Sequence, residues 1–177
     1  MRPPQSSTRS IEKFLVFFLV LGGIIWLGGI NGRAVLSNHL LVVGTLEFKS
    51  NLDPTVEREV FRLINYSSIL IFVGYVIVFV SGVVYLRSTP LRLKENGWLM
   101  MSALLFYMFS PVEIYTTYLD GRMISLELWG SGENAFLREL FIKRVAALKG
   151  LPVIALLCYY TIIVLAIWQP MKKRVEA

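Results

Sequence analysis

The run Tyr66 to Leu86, YSSILIFVGYVIVFVSGVVYL, decides the fold: 21 residues in succession without one Asp, Glu, Lys, Arg or His. An α-helix rises about 1.5 Å per residue, so about 20 such residues cross the roughly 30 Å hydrocarbon core of a bilayer. In lipid, every backbone N–H and C=O must find its partner inside the protein, which a helix achieves within one segment. Working outward, three more stretches behave alike: Phe14 to Gly32, Gly97 to Val112 and Gly150 to Gln169. The third of the four is cut short by Glu113, but Ile114, Tyr115 and Tyr118 carry its apolar character onward. These runs predict an all-α transmembrane protein, a four-helix membrane bundle in one domain over 1–177, with spans at about 12–36, 62–87, 96–118 and 147–169.

Composition agrees. Over 177 residues, 55% are hydrophobic and mean hydropathy is +0.62, too apolar for a soluble domain of this size. The net charge of +6 is not gathered into one basic stripe, so a nucleic-acid partner is not expected. Bases collect instead at the ends of the apolar runs. With the N-terminus inside, the inner segments hold Arg2, Arg9, Lys13, Arg87, Arg92, Lys94, Lys172, Lys173 and Arg174 against only Glu12, Glu95 and Glu176. The outer segments hold nine bases and nine acids. The positive-inside rule therefore predicts N-in/C-in, in a bacterial inner (cytoplasmic) membrane. Trp98 and Trp168 fall near the inner headgroups, and Tyr115 and Tyr118 near the outer ones. Although Arg2, Arg9 and Lys13 precede it, the first apolar run is long for a signal peptide. No small-x-small cleavage pattern follows at 32–36, so a retained anchor is expected.

The outer connections, roughly 33–61 and 120–149, exceed simple turns. Asp53-Pro54 has the form of a helix start, an N-cap acid followed by proline at N1, and Asn134 is a candidate cap for an amphipathic opening of the fourth helix over 135–149. Thr45 to Lys49 and Met123 to Trp129 alternate with period two. They are expected either to pair as a small two-stranded β cap over the helix ends or to run as irregular loop.

Between helices in lipid, small side chains mark close approach. Ser67, Gly74, Ser81 and Ser88 repeat every seven residues along the second span. The first span carries Gly28-xxx-Gly32, and the two faces are expected to meet.

Candidate chemistry is sparse. Glu113 follows Ser110-Pro111, a pair that loosens a helix by removing a backbone donor. At about 1.5 Å per residue Glu113 lies about 24 Å up its helix from Gly97, Arg33 about 28 Å up from Phe14 and Lys149 about 30 Å up from Gln169. The shared level predicts an Arg33–Glu113 or Lys149–Glu113 ion pair near the outer boundary, either a gate for an ion or ligand or an interhelical tie. His39 stands alone and Cys158 is the only cysteine, so no metal site, haem, disulfide or cofactor is expected. No Walker loop, HExxH or GxSxG occurs.

Three segments carry a resemblance: Ile24 to Gly29 (IIWLGG), Tyr75 to Leu86 with its Ser81-Gly82, and Gly97-Trp98-Leu99. They resemble small bacterial four-span proteins of the copper-resistance D type and related predicted membrane proteins. The resemblance implies a four-helix membrane architecture. Those families often place a histidine early in the first span, and this chain has none there. The function expected is a non-catalytic membrane component, an accessory or scaffold subunit bound to lipid and to other membrane subunits or to itself. The alternative is a small oligomeric transporter or metal-handling protein with Glu113 and Arg33 on its path. A lipid-directed membrane enzyme finds no acid–base pair in the sequence.

Overall fold

The computed structural model describes residues 5–129 and 133–171. Arg2, Lys172, Lys173, Arg174 and Glu176, which enter the charge balance, lie outside them. The order is α1 (Gln5–Leu40), α2 (Pro54–Ser88), α3 (Gly97–Trp129), α4 (Asn134–Val145), a 3₁₀ turn (Ala147–Gly150) and α5 (Leu151–Trp168). Four helical stretches are long and apolar enough to cross a membrane: Ser10–Leu40, Pro54–Ser88, Gly97–Trp129 and, across α4 and α5 together, Asn134–Trp168. The molecule is an all-α four-helix bundle with a cap end, where α1 joins α2 and α3 joins α4, and a terminal end opposite.

Local chemistry sets the helix limits. Asp53 caps α2 by accepting from the Thr55 N–H at 2.8 Å, with Pro54 in the first turn. The Thr55 hydroxyl also donates to that carboxylate, and these bonds, the hydroxyl's first, hold the Asp53 carboxyl below the usual aspartate range. Thr89 ends α2 in an extended conformation because Pro90 follows it. Asn134 does not cap α4. Glu133 occupies that place, and the Asn134 side chain instead donates to the Pro54 carbonyl at 3.2 Å, tying α4 to α2. Leu148, Lys149 and Gly150 all take positive φ (54°, 49° and 91°), which breaks the expected continuous fourth helix before Pro152 restarts it.

The cap is helical, not a β pairing. Residues 123–129 continue α3 as helix, and residues 45–49 lie in a turn whose only strand-like feature is an isolated antiparallel bridge, Leu41 to Phe48. The alternation in 123–129 misleads because α3 buries Leu119, Asp120 and Met123, positions that share one helical face. Met123 packs there with Leu40, Phe61, Ile64, Leu137 and Phe141, a core that α1, α2, α3 and α4 all supply. Beside it Arg138 grips the almost fully buried Glu57 through two bonds, at 2.5 and 2.7 Å, and lies over the Phe48 ring.

Small residues set the α1–α2 contact. A Cβ added at Gly74 would stand 2.6 Å from the Trp26 nitrogen and 2.9 Å from the Gly22 carbonyl oxygen, so α2 touches the α1 backbone there. Ser67 donates to the Gly29 carbonyl at 3.1 Å, and Ser81 is buried further along α2. The α1 side of the contact is Gly22 and Gly29, seven apart. Gly28 and Gly32 are not part of it, since a Cβ on either meets nothing within 4 Å.

Candidate functional site

A second core fills the middle of the bundle with rings. Trp26 of α1 lies 5.3 Å from Tyr75 of α2, 5.8 Å from Phe106 of α3 and 4.5 Å from Tyr159 of α5, centroid to centroid. Such spacing is normal for favourable tilted or edge contacts. One residue from each membrane-length helix therefore meets at one point.

Toward the cap end from these rings sits a buried charged cluster. Asp120 accepts from Arg33 Nη1 at 2.6 Å through one oxygen and from Arg144 Nε at 3.1 Å through the other. Arg33 also donates to Ser68 Oγ at 3.2 Å. Four helices are thereby joined: α1 by Arg33, α2 by Ser68, α3 by Asp120 and α4 by Arg144. Both Arg33 and Asp120 are buried, where a charge persists only when paired and hydrogen-bonded.

The expected ion pair is thus replaced. Glu113 is buried within the electrostatic reach of Arg33 and Arg144, but no ion pair joins it to Arg33 or Lys149 among the described residues. Lys149 sits exposed in the 3₁₀ turn. The partner that Arg33 takes, Asp120, lies seven residues beyond Glu113 on the same stripe of α3, and that spacing was the available signal for it. Arg144 carried no such signal, because it lies in α4, outside the uncharged runs from which the levels were counted.

Further buried polar groups flank this cluster, Asn65 on its cap side and the Tyr75 and Tyr159 hydroxyls on its ring side. Both amide atoms of Asn65 are buried without a hydrogen-bond partner in the protein, whereas the Tyr75 hydroxyl is turned towards Ser110 and the Tyr159 hydroxyl towards Glu113. Tyr159 lies close enough to Glu113 to feel its charge. His39 is exposed, Cys158 is half-buried against the central rings, and among the described residues no three His, Cys, Asp or Glu side chains converge as a metal would need.

On the other side of the rings, toward the terminal end, α1, α2, α3 and α5 part around a cavity of about 700 Å³. Its walls are almost entirely carbon, and Gly23 and Gly28 face it. Compared with known proteins, the chain matches no protein family, no curated protein and no solved structure.

Proposed function

We propose that this protein is a non-catalytic integral component of a bacterial inner membrane, an accessory or scaffold subunit with both termini on the cytoplasmic side. The observation that carries this reading is the character of the cap. Val43 and Trp129 are 80% and 82% exposed, and Phe136 is 56% exposed. The same cap segments carry Arg58, Arg62, Glu127, Arg138, Glu139 and Lys143, several in ion pairs, where a water-facing surface is expected to be polar. Bulky apolar side chains on an otherwise charged surface are a feature of protein interfaces, whose anchors are aromatic and aliphatic. The charged cluster supports the same reading, since Arg33, Asp120 and Arg144 are committed to one another as an interhelical tie. The ring plug of Trp26, Tyr75, Phe106 and Tyr159 closes the bundle's middle.

A second reading, a small oligomeric transporter, is favoured by one feature: Asn65, Glu113, Tyr159 and Tyr75 place buried polar groups at successive levels from the cap end to the rings. Extraction in mild detergent at native expression, with mass analysis of the intact assembly, separates the two. A complex of fixed stoichiometry with a different membrane protein supports the subunit role. A homo-oligomer that carries solute in liposomes and loses that flux in Glu113→Gln, with folding intact, overturns it.

A further inference from the structure

The cavity at the terminal end is a feature the proposed role leaves unused. Its roof is the ring plug. Trp26 lies about 20 Å along α1 from Lys13, and Phe106 and Tyr159 lie about 14 Å from Gly97 and Trp168, about half to two thirds of the roughly 30 Å hydrocarbon thickness. From that roof the walls run to Val16, Tyr85, Trp98 and Ile167 at the ends of the helices, so the cavity spans one leaflet. Val16, Val20, Ile24, Ile163 and Ile167 line it and are also 44–67% exposed, so its side opens laterally between α1 and α5.

A space of this kind cannot hold water at low cost. Apolar cavities stay dry, and one of about 150 Å³ accommodates a six-carbon ring, so about 700 Å³ has room for a long hydrocarbon chain. The segments that flank its outermost lining residues are basic: Lys13 precedes Val16, Arg87 follows Leu86, and Arg92 and Lys94 precede Trp98, all exposed, against Glu12 and Glu95, of which Glu95 pairs with Arg92 at 3.4 Å. We propose that the cavity is a lipid site that takes one acyl chain of an anionic glycerophospholipid from the leaflet at the terminal end, its tail end under Trp26 and its headgroup among Lys13, Arg87 and Arg92. The carbon lining recognises the chain, and the basic rim selects the anionic headgroup. An isoprenoid quinone would bring its polar ring against the same walls, which expose almost no polar surface to it, so a plain chain is the better fit.

Gly23 and Gly28 provide the test. A Cβ at either meets nothing within 4 Å and both residues line the cavity, so a leucine there is placed to fill it. Gly32, equally open but not among the lining residues, is the matched control. Trp26 is 2% exposed and shielded by its neighbours, which makes it a reporter of chains inside the protein. The protein with Trp26 as its sole tryptophan is reconstituted in phosphatidylglycerol brominated near the chain end. Bromine quenching of Trp26 is expected in the parent and in Gly32→Leu, and is expected to be largely lost in Gly23→Leu and Gly28→Leu, with helicity checked by circular dichroism. Brominated phosphatidylcholine is expected to quench less at equal mole fraction. In parallel, native mass spectrometry of the unsubstituted protein is expected to retain phosphatidylglycerol, independently of whether the variants fold. Quenching that survives in both filled variants, equal quenching by the two lipids, or a retained quinone in place of phospholipid overturns the proposal.

Discussion

Gly74→Ala tests the α1–α2 contact most sharply. The new Cβ would lie 2.6 Å from the Trp26 nitrogen, 2.9 Å from the Gly22 oxygen and 3.0 Å from the Trp26 Cα, all backbone atoms of α1. Ordinary carbon contacts sit at about 3.5–4.0 Å, so α1 must retreat by roughly 1 Å along this seam. Overpacking of that kind costs about 1–3 kcal/mol. Loosening the 3.1 Å Ser67–Gly29 bond adds about 1 kcal/mol, and better helix propensity returns about as much. The net expectation is a destabilisation of about 1–3 kcal/mol. Gly28→Ala, whose Cβ enters open space, keeps only the propensity gain of about 0.5–1 kcal/mol. Reversible unfolding in mixed micelles of denaturing and mild detergent, followed by circular dichroism, measures both. Equal stability of the two variants would refute the reasoning, because the residues differ only in what stands before the Cβ.

Asp120→Asn leaves Arg33 and Arg144 buried without a full counter-charge and is expected to cost about 3–5 kcal/mol in the same assay. Glu113→Gln, which breaks no ion pair, is expected to cost clearly less. For Glu57 and Arg138 the order of effects is set by burial: the Glu57 side chain is 1% exposed and that of Arg138 43%. Arg138→Met therefore strands a buried carboxylate and is expected to destabilise more than Glu57→Gln, which leaves a guanidinium free to turn to water, as paired thermal melts will show. The Asp53 carboxyl is held below its unfolded value, chiefly by the Thr55 hydroxyl, so its cap contributes fully above the unfolded value and loses that contribution as pH falls through the folded one. Melts between neutral pH and pH 3 are expected to show a shallower acid decline in Asp53→Asn than in the parent.

The long apolar helices were legible because a membrane-length run without charge is a simple pattern, and Tyr66 to Leu86 has it. The helices outrun those runs at the cap end, where Glu57, Arg138 and Asp120 continue them in pairs that a hydropathy pattern cannot express. Residues 123–129 looked like a strand because polar and apolar residues alternate there. The helix wins through tertiary contacts of Met123 and Asp120 that no local window contains. The level of Arg33 followed from helix rise alone. Its choice of Asp120 over Glu113 did not, since both acids share a stripe of α3. Gly28-xxx-Gly32 had the spacing of a contact motif, but rotation about the α1 axis turns Gly22 and Gly29 to α2 and Gly28 to the cavity. The cavity itself left no mark in the sequence, because the same apolar residues serve a lipid-filled gap and a closed core.

Whether the cap of this protein holds a partner is decided most directly by photo-crosslinking in cells at native expression. A photoreactive residue is placed in turn at Val43 and Trp129 on the cap and at Val153, 62% exposed on α5. A discrete adduct with one different membrane protein is expected at both cap positions, with lipid adducts alone at Val153. Cap positions that yield only lipid or self-adducts would contradict the subunit role and leave transport through the Glu113 region as the function to pursue.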